Sequence, residues 1–195
     1  PERVKGWYQK LDQFVERVNS HLDKHNDKRP HLLVMSDHGF TDYTYKIHVN
    51  RWLLENGYLS VQEGKTNANL ASVDWDKTKA YAIGLNSLYI NLEGREGKGI
   101  VPVEQVEQLA TEIKEKLLKW KGPDGQQVFS KVSLRHEVFS GPLLRLGPDL
   151  NLGCSAGYRA SSETGLGKWE DTSIEENHDH WNADHCIDPD IVPGV

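Results

Sequence analysis

Sulfur is scarce in this chain: two cysteines and one methionine in 195 residues. Cys154 and Cys186 lie in different segments without metal-ligand spacing, so they read as free thiols rather than a disulfide. Free thiols fit a reducing, cytoplasmic compartment. No apolar run approaches the ~20 residues that a membrane span needs, which argues against a membrane partner. Positive charge is in deficit, with 23 Lys and Arg against 29 Asp and Glu and a net charge of -6. Nothing electrostatic therefore favours nucleic acid or an anionic membrane surface. The glycine-rich charged loop Glu93 to Gly99 lacks the Lys-Ser/Thr ending of a phosphate-cradling loop and is given no nucleotide role. Hydrophobic residues at 37% and charged residues at 27% are ordinary for a globular protein, which argues against wholesale disorder.

What is present is organised around His31 to Phe40, HLLVMSDHGF. Leu32 to Met35 is apolar enough for a strand buried on both faces, and it runs directly into Ser36-Asp37-His38-Gly39. An Asp carboxylate is a hard oxygen donor and an imidazole a borderline nitrogen, a combination that suits zinc or manganese. Gly39 is expected to turn the backbone sharply there, so that neighbouring side chains converge. The same residue types also make helix caps and turns, so the pair alone does not decide between the two.

The remaining elements follow from period and punctuation. Val4, Trp7, Tyr8, Leu11, Phe14, Val15, Val18 and Leu22 recur at helical spacing and predict an amphipathic helix packed against the sheet. The polar run His25 to Pro30 connects it to the central strand. Residues 47–56 read as a short helix with Trp52 and Leu53 inward and Gly57 as its cap. Ser60 to Lys77 is a polar surface excursion. Lys79 to Ile83 and Leu88 to Leu92 are two short strands joined around Asn86. Pro102 opens a helix striped by Val106, Leu109, Ile113 and Leu117, with acidic residues early and lysines late. After Pro123-Asp124-Gly125, alternating Val128, Ser130, Val132 and Leu134 predict a half-buried strand, and Leu150 to Ser155 another. His136 and Glu137 read as a surface strand end. Two residues are candidate substrate contacts: Asn86, although a turn-former more commonly satisfies its own backbone, and Arg159, which offers a bidentate grip on phosphate although an ordinary salt bridge is the commoner use. His178, His180 and His185 crowd the tail, and the first two read as solvated loop residues.

VMSDHGF followed by VNRWLLENGYL resembles the alkaline phosphatase superfamily, and within it the bacterial type I phosphodiesterase/nucleotide pyrophosphatase branch. The stretches AIGLNSLYINLEGRE, HEVFSGP, PDLNLGCSAGYRAS and WNADHCIDPDIVPGV continue the resemblance in the family's order across nearly the whole chain. It implies an α/β fold, a mostly parallel central sheet flanked by helices, in a single domain that is the incomplete C-terminal portion of a catalytic domain. It also implies two divalent metal ions, zinc with manganese as the alternative, and a small phosphate-ester substrate. Asp37 and His38 match ligands of one ion, and His185 matches a ligand of the other. By the same resemblance the nucleophile and the other ligands lie upstream, which leaves the isolated chain inactive. Sulfatases and metal-dependent phosphoglycerate mutases share the layout and stay open as alternatives. So does a non-catalytic module that self-associates through an uncovered sheet edge.

Overall fold

The computed structural model describes residues 2–24, 30–65 and 67–195. The chain divides into two units, one running up to Ser36 and including Val195, the other comprising Asp37–Gly194.

The first unit contains helix α1, Glu2–Leu22, whose apolar residues recur along one stripe. The periodicity therefore yields the expected helix; none of its residues is buried, and Val4, Trp7, Tyr8, Leu11 and Phe14 are exposed. Lys10 and Arg17 lie over the Trp7 and Phe14 rings. The link from His25 to residue 29 lies outside the described residues. Leu32 to Met35 corrects a second expectation. The segment is not a strand, and Leu33 and Met35 are 79% and 71% exposed. A strand buried on both faces needs neighbours that take its N–H and C=O groups on both edges. Among the described residues none pairs with it.

The second unit carries two sheets. In the first, β1 (Thr41–Ile47) lies between β6 (Gly157–Ala160), parallel to it, and β7 (Ile174–Glu176), antiparallel; β8 (Ala183–Asp184) pairs antiparallel with the start of β1. The second sheet runs β2 (Ala80–Ala82), β3 (Ser87–Ile90), β5 (Leu150–Cys154), β4 (Phe129–Leu134), antiparallel throughout. The α/β class holds, but the mostly parallel sheet does not: among the named strands of the described residues only β1 and β6 run parallel. Between β2 and β3 the connection is a tight turn, which can only link antiparallel neighbours, whereas parallel strands need a long crossover.

Helix α2 (Val49–Glu55) turns Trp52 and Leu53 inward, and Gly57 closes it at φ 74°. Its buried Asn50 exchanges two hydrogen bonds with the Ala82 backbone, 2.8 and 2.7 Å, and so docks the helix onto β2. Among the described residues between 60 and 78, helical structure is limited to one turn of 3₁₀ helix at Leu70–Ser72, although Val73 and Thr78 are buried. Thr66 lies outside the described residues. Helix α3 (Val106–Lys119), entered from a 3₁₀ turn after Pro102, buries Ala110, Ile113 and Leu117. A register shift between Phe129 and Lys131 breaks the alternation in β4, so Phe129 and Val132, three residues apart, are both buried. His136 and Glu137 fall in the short helix α4 (Arg135–Val138). There Glu137 takes the Leu134 amide and the Lys114 ammonium, consistent with a structural surface role. Ser161 caps the short helix α5 (Ser162–Gly165). No helix among the described residues is long and apolar enough to cross a membrane.

Candidate metal centre

Three local features bring residues 37–40 against residues 183–193. The Gly39 amide donates to the Val192 carbonyl at 2.8 Å. Thr41 and Asp42 pair with Asp184 and Ala183 in the ladder. Tyr43 donates its hydroxyl to the Trp181 carbonyl at 2.7 Å. Gly39 is required here for a different reason from the one its sequence position suggests. Its φ is not positive, so it makes no left-handed turn. Its missing side chain matters instead, because a Cβ at this position would lie 3.0 Å from the Pro193 carbonyl oxygen, tighter than an ordinary contact.

The outcome is that His38 and His185, remote in sequence, are stacked face to face with centroids 3.8 Å apart and planes 4° from parallel. Phe40 leans on both rings. His38 Nδ1 lies 3.0 Å from the Gly39 carbonyl oxygen. A carbonyl only accepts, so Nδ1 carries the proton and Nε2 the lone pair. Asp37 is exposed, with Oδ2 3.5 Å from His38 Nε2 and Oδ1 accepting the His38 amide. Two donors bound tetrahedrally to one ion at zinc–ligand lengths lie roughly 3.4 Å apart, so this pair of atoms is spaced to share an ion.

His185 is held from the other side. Asp184 is buried; its Oδ1 accepts the amides of His185 and Cys186 at 2.7 and 3.2 Å, and its Oδ2 accepts from Arg159 Nε. Burial pushes the Asp184 carboxyl up, but the His185 amide, the Arg159 guanidinium and the Cys186 amide outweigh it and hold it down at about 2. His185 Nδ1 sits 3.3 Å from Asp184 Oδ1, buried and without a hydrogen bond. Asp184, His185 and Cys186 together place three metal-capable atoms within 4.8 Å of one another. Sequence reasoning singles out only the histidine of these three. The run Asp-His-Cys was the available signal, but adjacency in a chain says nothing about which side chains turn to the same side.

The other candidates are engaged within the protein. Arg159 is buried in its pair with Asp184, with Nη1 donating to the Ala160 carbonyl and to Ser162 Oγ. Asn86 Nδ2 donates to the Leu152 carbonyl at 2.6 Å and, at 3.4 Å, to that of Cys186. It thereby ties the loop after β8 to β5. His178 and His180 are exposed.

One carboxylate and two imidazoles are donors that suit a zinc- or manganese-class ion, and the buried, unpartnered His185 Nδ1 beside a carboxylate has the arrangement common behind metal-ligating histidines. The residues present therefore fit a metal.

Residues 2–181 match the family model described as Type I phosphodiesterase / nucleotide pyrophosphatase. The matched region takes in Asp37, His38, Asn86 and Arg159 and ends ahead of Asp184 and His185. No curated protein and no solved structure matches the chain.

Proposed function

This chain belongs to the type I phosphodiesterase/nucleotide pyrophosphatase family, and from that premise we propose that it supplies part of a two-metal site for hydrolysis of a phosphodiester or nucleotide pyrophosphate bond. Asp37 and His38 are its ligands to one ion, and His185 is its ligand to the neighbouring ion. The observation that carries this reading is the convergence of His38 and His185 across the fold, with the Asp37 carboxylate beside His38 Nε2.

When bound, two divalent ions neutralise charge on the attacking and leaving oxygens of an in-line displacement at phosphorus. The chain's own residues hold the ligands in place beforehand. The Gly39 carbonyl holds His38 Nδ1, with Nε2 toward the Asp37 carboxylate, and the Gly39–Val192 bond keeps the two histidine segments together. Arg159, paired with Asp184, serves the substrate indirectly by stabilising that scaffold, and Asn86 does so through the Cys186 loop. Three donors are fewer than two ions require, since zinc alone takes four ligands per ion. The isolated chain is therefore expected to bind zinc weakly and to turn over little, with the nucleophile contributed by the rest of the parent domain.

Calorimetric zinc titration of this chain beside His38→Ala and His185→Ala tests the ligand set. Loss of heat in both variants supports the assignment, and binding that survives both overturns it. Hydrolysis of bis(4-nitrophenyl) phosphate, 4-nitrophenyl phosphate and 4-nitrophenyl sulfate by the full-length parent tests the reaction. The diester is expected to be the preferred substrate; preference for the sulfate would make the parent a sulfatase and refute the proposal.

A further inference from the structure

We propose that Arg159 and Asp184 form a buried positioning pair that fixes His185 as the Nδ1–H tautomer and so presents Nε2 as its coordinating nitrogen. The tautomer follows from this chain alone; the coordinating role rests on the metal reading above.

Both carboxylate oxygens of Asp184 are engaged. Oδ2 is taken by Arg159 Nε, and Oδ1 by the amides of His185 and Cys186. Three of its about four acceptor sites are thereby taken, which leaves it a poor ligand, although it lies within ligand-sharing distance of His185 and Cys186. It does, however, present a negative oxygen 3.3 Å from the buried His185 Nδ1. A lone pair on that nitrogen would face the lone pairs of the carboxylate and be repelled. A proton there would be attracted, and a modest rotation would align it into the hydrogen bond that a buried polar atom ordinarily makes. The His38 ring stacked on His185 limits where the His185 ring can move. His38 itself reaches the same tautomer through the Gly39 carbonyl, so both rings offer Nε2.

Arg159 makes the arrangement rigid. It sits in β6 opposite Lys46 of β1, its Nη1 is held by the Ala160 carbonyl and Ser162 Oγ, and its guanidinium lies 5.5 Å from the centre of the Tyr43 ring. Asp184, itself in β8 and paired with Thr41 of β1, is thus also anchored through Arg159 to β6. A carboxylate or carbonyl behind a metal-bound histidine fixes ring orientation, and its loss typically weakens metal affinity 10- to 100-fold.

Two-bond ¹H–¹⁵N correlation NMR of ¹⁵N-labelled protein, with His185 assigned by its absence in His185→Ala, reads the tautomer directly and without metal. The wild-type protein is expected to show His185 as Nδ1–H. Asp184→Asn is expected to mix the tautomers and weaken zinc binding about 10- to 100-fold, whereas Arg159→Lys, which keeps the charge, should retain most of both. A wild-type His185 protonated on Nε2 overturns the proposal, and this needs no variant to fold. An unchanged tautomer and unchanged zinc affinity in a folded Asp184→Asn would also overturn it. If the tautomer is as stated but zinc leaves the His185 Nε2 resonance unmoved, the positioning pair stands and the metal reading falls.

Discussion

Arg159→Met removes the cation from a carboxylate that stays buried. The two side chains are 10% and 7% exposed, so little water can replace the guanidinium. Two estimates bound the cost. A carboxyl held at about 2 rather than near the usual ~3.9 represents about 2.6 kcal/mol of stabilisation of the charged folded form, shared among Arg159 and the two amides. Removing one partner of a buried pair typically costs about 3–5 kcal/mol, because the remaining charge is left uncompensated. A loss of about 2–4 kcal/mol at pH 7 is expected. Because the folded carboxyl is depressed, its stabilisation is complete above the unfolded value. It drains away as pH falls from about 5 toward 2. The gap between wild type and Arg159→Met should therefore be full at pH 7 and shrink on acidification. Urea unfolding followed by tryptophan fluorescence measures it, since Trp52 and Trp169 are buried. Adding Asp184→Asn should recover part of the loss, as the uncompensated charge is then gone. A gap below about 1 kcal/mol at pH 7, or one that widens in acid, would mean that Arg159 does not compensate a buried Asp184 charge.

Asn50→Ala leaves the Ala82 N–H and C=O without their side-chain partners in a buried position; a loss of about 2–4 kcal/mol in the same urea assay is expected. Gly39→Val should push the Val192–Pro193 backbone away from residue 39, and the expected readout is weaker zinc binding by calorimetry with little change in far-ultraviolet circular dichroism. Zinc should raise the melting temperature of the wild-type chain and EDTA should reverse the rise, with neither effect in His38→Ala. Burial pushes the Cys154 thiol up to about 12, so in a thiol-reagent titration it should react only after denaturation. Cys186, raised by burial and by Asp184 but partly exposed, should react first.

Local pattern carried a large share of this protein. The 3.6-residue stripe specifies α1 and α3, glycine after Asn56 ends α2, and short β-rich runs around Asn86 give the hairpin of β2 and β3, because each depends on residues a few positions apart. Chemistry at single positions was legible too: an Asp-His pair and a late histidine are donors wherever they lie. Pairing and burial were not. Leu32 to Met35 is apolar enough for a central strand, yet a strand exists only where neighbours satisfy its backbone, and no pattern within the segment records whether they do. The stripe of α1 likewise says that a face is apolar, not what covers it. In the second sheet the tight turn gives the direction of β3 beside β2, whereas the pairing of β5 with β3 and β4, and the bulge in β4, arise between distant segments. The meeting of His38 with His185, the close approach that requires glycine at 39, and the commitment of Asp184 to Arg159 all arise between segments more than twenty residues apart. Only the tertiary fold decides such contacts, because the energy that selects them comes from packing and ladder partners rather than from the neighbours along the chain.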